Sequence, residues 1–363
     1  GLLLYALCLG GILVCHSFVI SPIVDVSLLK ALTFVIVLVT LLAGWGWMDA
    51  SERRLASQMV FGGLMLVGIA SMATARLGAG YMPNSAGLKG VLVHSQTLGP
   101  AMAISAGLLS AQCLTMRPLP RWRIGMLGVC VAIIYLSQAR IGLVSLLGGL
   151  VIAMLAQGCA VLADRYGRNP RVVGSRVLLA GAAMGLAGLF AGDRIAGIVQ
   201  EFIKKGGKGE SITDAAMESR GALVDFLMEN IKNHPLTGIG FGISSNPADW
   251  WRIARDPLFG IPTTASTEKG VMPLAIAEEA GIPIAILTFL FLGLLTLRSA
   301  RGGIVPFTVF TVAMLTNIAE ATFFSPGGQG MLILLVVTWS ATEPPGGIWI
   351  GRRSVPIPGP IMA

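Results

Sequence analysis

The chain has 363 residues, 54% hydrophobic and 12% charged, with a formal net charge of +8. A soluble domain carries about 25% charge, so an ordinary soluble fold is excluded. Much of the basic excess sits in short loops between apolar stretches, where positive charge sets topology, so nucleic-acid binding is an unneeded reading and a lipid bilayer is the expected surrounding.

In chain order, apolar spans are expected at 2–20, 28–48, 57–75, 97–115, 125–139, 141–163, 177–192, 273–297, 303–322 and 328–344. The first is too long and evenly apolar for a signal-peptide core. The chain begins at Gly1 without an initiator methionine, and further N-terminal sequence is expected before it. Arginines mark every second short connection: Arg53 and Arg54; Arg117, Arg121 and Arg123; Arg165, Arg168, Arg171 and Arg176; Arg298 and Arg301; Arg352 and Arg353. The connection at 21–27 has no Lys or Arg. This alternation places both termini in the cytoplasm and puts 76–96 and 193–272 on the outer face. The expected fold is an all-α integral membrane protein of about ten transmembrane helices. Its parts are an N-terminal bundle at 1–192, an outer loop at 193–272, C-terminal helices at 273–344 and a cytoplasmic tail at 345–363.

Residues 125–163 are too long for one span, so Ser137-Gln138-Ala139-Arg140 is expected to be a tight turn on the outer side. The outer loop carries an amphipathic helix at 214–233. Met217, Leu223, Val224, Leu227 and Ile231 share one face, and Glu218, Asp225, Glu229 and Lys232 the other. Arg220 interrupts the apolar face and calls for an anionic partner. Pro235 ends the helix, and Gly238, Gly240 and Gly242 have the spacing of a tight loop.

These elements bring Arg140, Arg220, Glu268 and Glu320 to one face of the membrane, with His94 joining from 76–96. A bland reading stands beside each: a snorkelling Arg140, a solvated Glu268, a helix-end Glu320. For Trp250 and Trp251 the readings are an interface anchor and a sugar platform. The five cysteines, Cys8, Cys15, Cys113, Cys130 and Cys159, lack paired spacing and read as plain apolar thiols. No metal or cofactor motif is present in the three scattered histidines.

Three stretches carry a family resemblance: Ser137-Gln138-Ala139-Arg140-Ile141-Gly142-Leu143; Arg220 followed by Ile231, His234-Pro235-Leu236 and Gly238-Ile239-Gly240; and Leu274 through Glu279, with Gly281 and Ile282. A weaker fourth runs from Gly90 to Gly99. Their order resembles the O-antigen ligase and Wzy-type polysaccharide polymerase superfamily over roughly residues 90–340. The resemblance implies a GT-C-like fold and a metal-independent, inverting glycosyltransferase. Its donor would be an undecaprenyl-diphosphate-linked oligosaccharide, taken at the periplasmic face of the bacterial inner membrane. Arg140 and Arg220 would hold the diphosphate. Read from the residues, Glu268, next to where ligases of this family carry a His-Asn pair, or else Glu320, would take the proton of the acceptor glycan's hydroxyl. Here Gly270 and Val271 stand at that pair's position, which favours a polymerase of repeat units over the ligase that transfers glycan to lipid A-core. A transporter of polysaccharide or lipid-linked substrate is the rival of another class, and it would be expected to show inverted repeats and helices broken at mid-membrane. The sequence shows neither clearly.

In intact cells, cysteines introduced at 205–210 should react with an impermeant thiol reagent and those at 166–172 should not. Labelling at 166–172 would reverse the orientation and move the site to the other face.

Overall fold

The computed structural model describes residues 1–76, 78–82, 87–115, 120–165, 224–260, 262 and 269–344. Within these the chain is all-helical, with no β-strand and two isolated bridges, Tyr81 to Leu88 and Arg255 to Pro262. The helices are α1 (Leu2–Ile20), α2 (Val24–Trp47), α3 (Ala50–Arg76), α4 (Ser95–Thr115), α5 (Arg121–Ser137) and α6 (Arg140–Arg165). They continue as α7 (224–233), a short 3-10 turn (Pro247–Arg252), α8 (Met272–Gly302), α9 (Ile304–Ala319) and α10 (Gln329–Thr342). Among the described residues, six helices are long and apolar enough to cross a membrane: α1, α2, α3, α4, α6 and α8. This is the architecture of a multi-pass α-helical membrane protein. The span expected at 177–192 and the tail at 345–363 lie outside the described residues, as do 214–223 of the amphipathic helix.

Helix α4 is the centre. Its residues from Leu98 to Leu109 are buried on every side, so no polar face is needed and none is found. Small residues let its neighbours come close, the packing device of helices that lack a hydrophobic drive to associate. A Cβ on Gly107 would meet Val312 of α9 at 3.0 Å, one on Gly142 of α6 would meet the Gly99 backbone at 2.9 Å, and one on Gly149 would meet Val312 at 2.5 Å. Pro100 lies inside α4, in its second turn, and leaves the Gln96 carbonyl without its regular helical donor.

The expected turn between α5 and α6 is present. Gln138 adopts the left-handed conformation, with φ 53°, and α6 begins at Arg140. Part of the amphipathic helix is also visible. In α7 Leu227 is fully buried, Asp225, Glu229 and Lys232 are exposed, and the helix stops before Pro235.

The bundle has two distinct ends. At one, Arg53 donates to the carbonyls of Trp45, Met48 and Thr342 and lies 3.8 Å from Glu343. Gly1 approaches Arg298 at the same end. At the other end lie the α1–α2 connection, the starts of α4, α6 and α8, and the segment between α9 and α10. An aromatic cluster closes this second end: Phe34 meets Phe324 at 5.2 Å and Phe323 at 5.8 Å, and Phe241 meets Phe324 at 5.9 Å.

One helix is interrupted. Inside α8, Gly281 has φ 81° and ψ 161°, outside the helical region. Residues 282–302 alone would make about 31 Å of helix, enough to cross a hydrocarbon core of about 30 Å. The break therefore falls at the second end of the bundle and not at its middle.

Gly281→Ala should destabilise the protein by about 2–4 kcal/mol, because a Cβ there would lie 2.2 Å from the Leu236 carbonyl oxygen on a positive-φ backbone. Gly62→Ala, which meets nothing within 4 Å, is the control in the same thermal-unfolding assay. Equal melting of the two variants would refute the packing described.

Candidate functional site

The break in α8 is filled by backbone from elsewhere. Pro283 has no N–H, so the Glu279 carbonyl lacks its ordinary helical donor. The Gly240 N–H supplies it at 3.0 Å. Ile282 donates to the Pro235 carbonyl at 2.9 Å, and Ile239 replaces it on the Glu278 carbonyl at 2.9 Å. The loop after α7 is thus knitted into α8. Its glycines follow from this. Gly238 has φ 65° and lies so near residues 279–281 that a Cβ would be 2.6 Å from backbone atoms. His16 of α1 steadies the same loop, with Nε2 at 2.5 Å from the Thr237 carbonyl.

The knot brings four charged side chains together. Lys30 Nζ lies 3.2 and 3.1 Å from the two carboxylate oxygens of Glu279. Lys269 Nζ lies 2.6 Å from Glu278 and 3.4 Å from Glu279. Glu278 also accepts from Asn230 of α7 at 2.7 Å and from the Ser245 hydroxyl at 3.0 Å. Glu279 accepts from the Gly242 N–H at 2.8 Å. Side-chain exposure is 0% for Glu278, 4% for Glu279, 4% for Lys269 and 10% for Lys30. Buried charges persist only when paired and hydrogen-bonded; here each lysine is paired with a glutamate, and each carboxylate has further donors. Lys30 also lies over the Phe241 ring, 4.9 Å from its centroid.

A cavity of 260 Å³ opens beside the network. Lys30, Lys269 and Glu279 line it from one side and Thr97 of α4 from another. The segment from Ala321 to Gly330 closes it, with Thr322, Ser325 and the glycines at 327, 328 and 330 in the wall. Helix α10 begins here at Gln329, without a side-chain cap; the Gly330 N–H goes to the Gly327 carbonyl, and the positive dipole end of the helix lies at this wall. The Gln329 Nε2 is buried with no partner among the described residues. Each ammonium has three donors, and each reaches two carboxylate oxygens in the network, which leaves one N–H apiece without a partner among the described residues. The chemistry offered is that of an anion site: two spare ammonium donors, an orphan amide and a helix N-terminus.

Among the residues singled out from sequence, Arg140 begins α6 at this same end; its chain neighbours Ala139 and Gly142 pack on Gly99, two residues from Thr97 of the cavity wall. It makes no ion pair with the described residues. Glu320 is buried and immediately precedes the cavity residues Ala321 and Thr322. Its carbonyl accepts from Thr322, and Asn317 pins the same turn by accepting from the Thr322 hydroxyl and the Phe323 N–H. The His94 side chain is exposed, and its carbonyl accepts from Thr97 and Leu98 at the start of α4. Trp250 is not in this cavity. It lines a separate groove with Pro22, Asp25 and Arg255. Arg220, Glu268 and the Trp251 side chain lie outside what the structure describes.

Sequence reasoning passed over Lys30, Glu278 and Glu279 as a group. The signal was there, since each is an ionisable residue inside an apolar stretch. The broken α8 was likewise readable as Gly281-Ile282-Pro283. Comparison with protein-family models and with curated proteins finds no match for the chain.

Lys269→Met should lower stability by about 3–5 kcal/mol, because it strands buried carboxylate charge. Adding Glu278→Gln should recover at least half of that loss in an unfolding titration. Strictly additive losses would show that the two groups do not interact.

Proposed function

We propose that the chain is a membrane-embedded glycosyltransferase that takes its donor glycan from a lipid-linked diphosphate at the outer face and extends a polysaccharide. The observation that supports it is the cavity beside the α8 break, with spare donors from Lys30 and Lys269, the α10 N-terminus and Arg140 at the same end of the bundle. A diphosphate leaving group gains charge as its bond to the sugar breaks. Fixed cationic donors near a low-dielectric bilayer stabilise that charge more than water does.

The reaction balances simply. The acceptor hydroxyl oxygen bonds to the anomeric carbon of the donor. The bond from that carbon to the phosphate oxygen breaks, and lipid diphosphate leaves with the electron pair. The hydroxyl proton passes to a carboxylate. We assign that role to Glu320, which is buried and immediately precedes the cavity residues Ala321 and Thr322; the other sequence-derived base, Glu268, lies outside the described residues. Glu278 and Glu279 are poorly suited, since their oxygens are engaged by lysines and N–H donors. Of the two branches that the resemblance implies, polymerase is preferred to ligase because Gly270 and Val271 replace the ligase His-Asn pair.

A second reading, a transporter of lipid-linked substrate, has one observation in its favour, the broken α8. Transporters place such breaks at mid-membrane, and this one falls at the end of the bundle.

Lys30→Gln and Arg140→Ala at matched membrane expression should each cut glycan transfer by about 10²-fold or more, the scale for one lost transition-state donor. Arg140→Lys should rescue poorly, because a point charge does not reproduce the planar fork. Deleting the gene should leave single repeats and abolish long chains. Full activity in the Lys30 and Arg140 variants would remove the transferase reading. Lipid-linked substrate accumulating on the inner face would establish the transporter.

A further inference from the structure

A second concavity lies on the other side of the same loop. It has a volume of 410 Å³, within the range of about 300–1,000 Å³ found for ligand pockets. Its walls are Pro22, Val24 and Asp25 at and just before the start of α2, Trp250 of the 3-10 turn, and Ile253 and Arg255 from the loop that follows it. The walls are tied by hydrogen bonds. The Trp250 Nε1 donates to the Ser244 carbonyl at 2.9 Å, which fixes the indole and leaves it half-exposed. Arg255 pairs with Asp25 and donates to the Gly260 carbonyl at 2.9 Å, all through one nitrogen. The remaining guanidinium N–H groups have no partner among the described residues. Asp25 accepts from the Val26 N–H through its other oxygen, at 2.9 Å.

The two concavities are neighbours. Asp25 lines one and Lys30 lines the other, five residues on along α2, about 7.5 Å of helix rise. The segment from Gly242 to Trp250 separates them. Gly242 packs on the Lys30 side chain, and Ser244 holds Trp250.

We infer that this groove is a carbohydrate subsite, taking a sugar ring of a glycan chain. A sugar ring has an apolar face of C–H groups and an equatorial rim of hydroxyls. A fixed indole beside small apolar side chains matches the face. A fixed Asp–Arg pair, offering acceptor oxygens and spare donors side by side, matches the rim. A simple anion would be met by Asp25, and an apolar ligand would leave the ion pair unused. That the bound glycan is the acceptor rests on the transferase reading above; carbohydrate binding itself does not.

The test uses the full chain in phospholipid nanodiscs. The probe is lipid-free oligosaccharide released by mild acid from the surface polysaccharide of the source cell, with binding followed by saturation-transfer NMR. Wild type should bind. Trp250→Ala should weaken binding about tenfold, the scale of one aromatic contact, while Trp250→Phe stays within about threefold of wild type. Asp25→Asn, at an exposed position that folding tolerates, should also weaken it about tenfold. Gly62→Ala, whose added Cβ meets nothing within 4 Å and which lines neither concavity, should leave it unchanged. No binding by wild type, binding unaffected by both groove substitutions, or displacement by sn-glycerol 1-phosphate, as a lipid-headgroup site would show, overturns the inference. Binding that depends on Trp250 in a chain without transfer activity would keep the groove and reject the transferase. Transfer and product length untouched by Trp250→Ala would keep the transferase and reject the groove as its acceptor subsite.

Discussion

Everything at the working end of the bundle depends on one repair. Pro283 and Gly281 prevent α8 from continuing as a regular helix, and two carbonyls lose their ordinary donors inside an apolar surrounding. Such losses cost several kcal/mol each unless replaced. The loop after α7 replaces them with the N–H groups of Ile239 and Gly240. That repair holds the loop in one position. It carries Gly242 onto Lys30, Asn230 and Ser245 onto Glu278, and Trp250 to the edge of α2.

The four buried charges belong to the same logic. Two lysines and two glutamates balance in sign, and each carboxylate has further donors. The net gain in stability from such a cluster is small or negative against an apolar substitute. Its value is positional. Two ammonium groups are fixed at the rim of a cavity with an N–H to spare, beside a helix N-terminus and under an aromatic plug. A mobile pair of lysines would lose that placement to side-chain entropy.

The helices were legible because apolar length and arginine alternation are direct consequences of the bilayer. The turn at Gln138 was legible because a 39-residue apolar run, 125–163, cannot be one span. The Gly238-Ile239-Gly240 loop was legible as a turn, but what it fits into was not. Gly281 and Pro283 are close in sequence to Glu279, yet their partners are Leu236, Thr237 and Gly240, some forty residues earlier. Lys30 is hardest to anticipate. A lone lysine near the start of a span reads as snorkelling, and only the fold brings Glu279, more than two hundred residues away, against it.

Trp250 separates two kinds of inference. Sequence groups it with the charged candidates because they share one face of the membrane. The structure divides that face into two concavities on either side of one loop. Under the proposed transfer, the charged leaving group and the neutral incoming chain would each meet a different surrounding. The cavity beside Lys30 and Lys269 offers cationic donors, and the groove beside Trp250 offers an indole and a self-neutralised ion pair. Because Gly242 packs on Lys30 and Ser244 holds Trp250, a shift of the loop would move both walls together. The α8 break that anchors this loop therefore sets the spacing between the two concavities as well as their shapes.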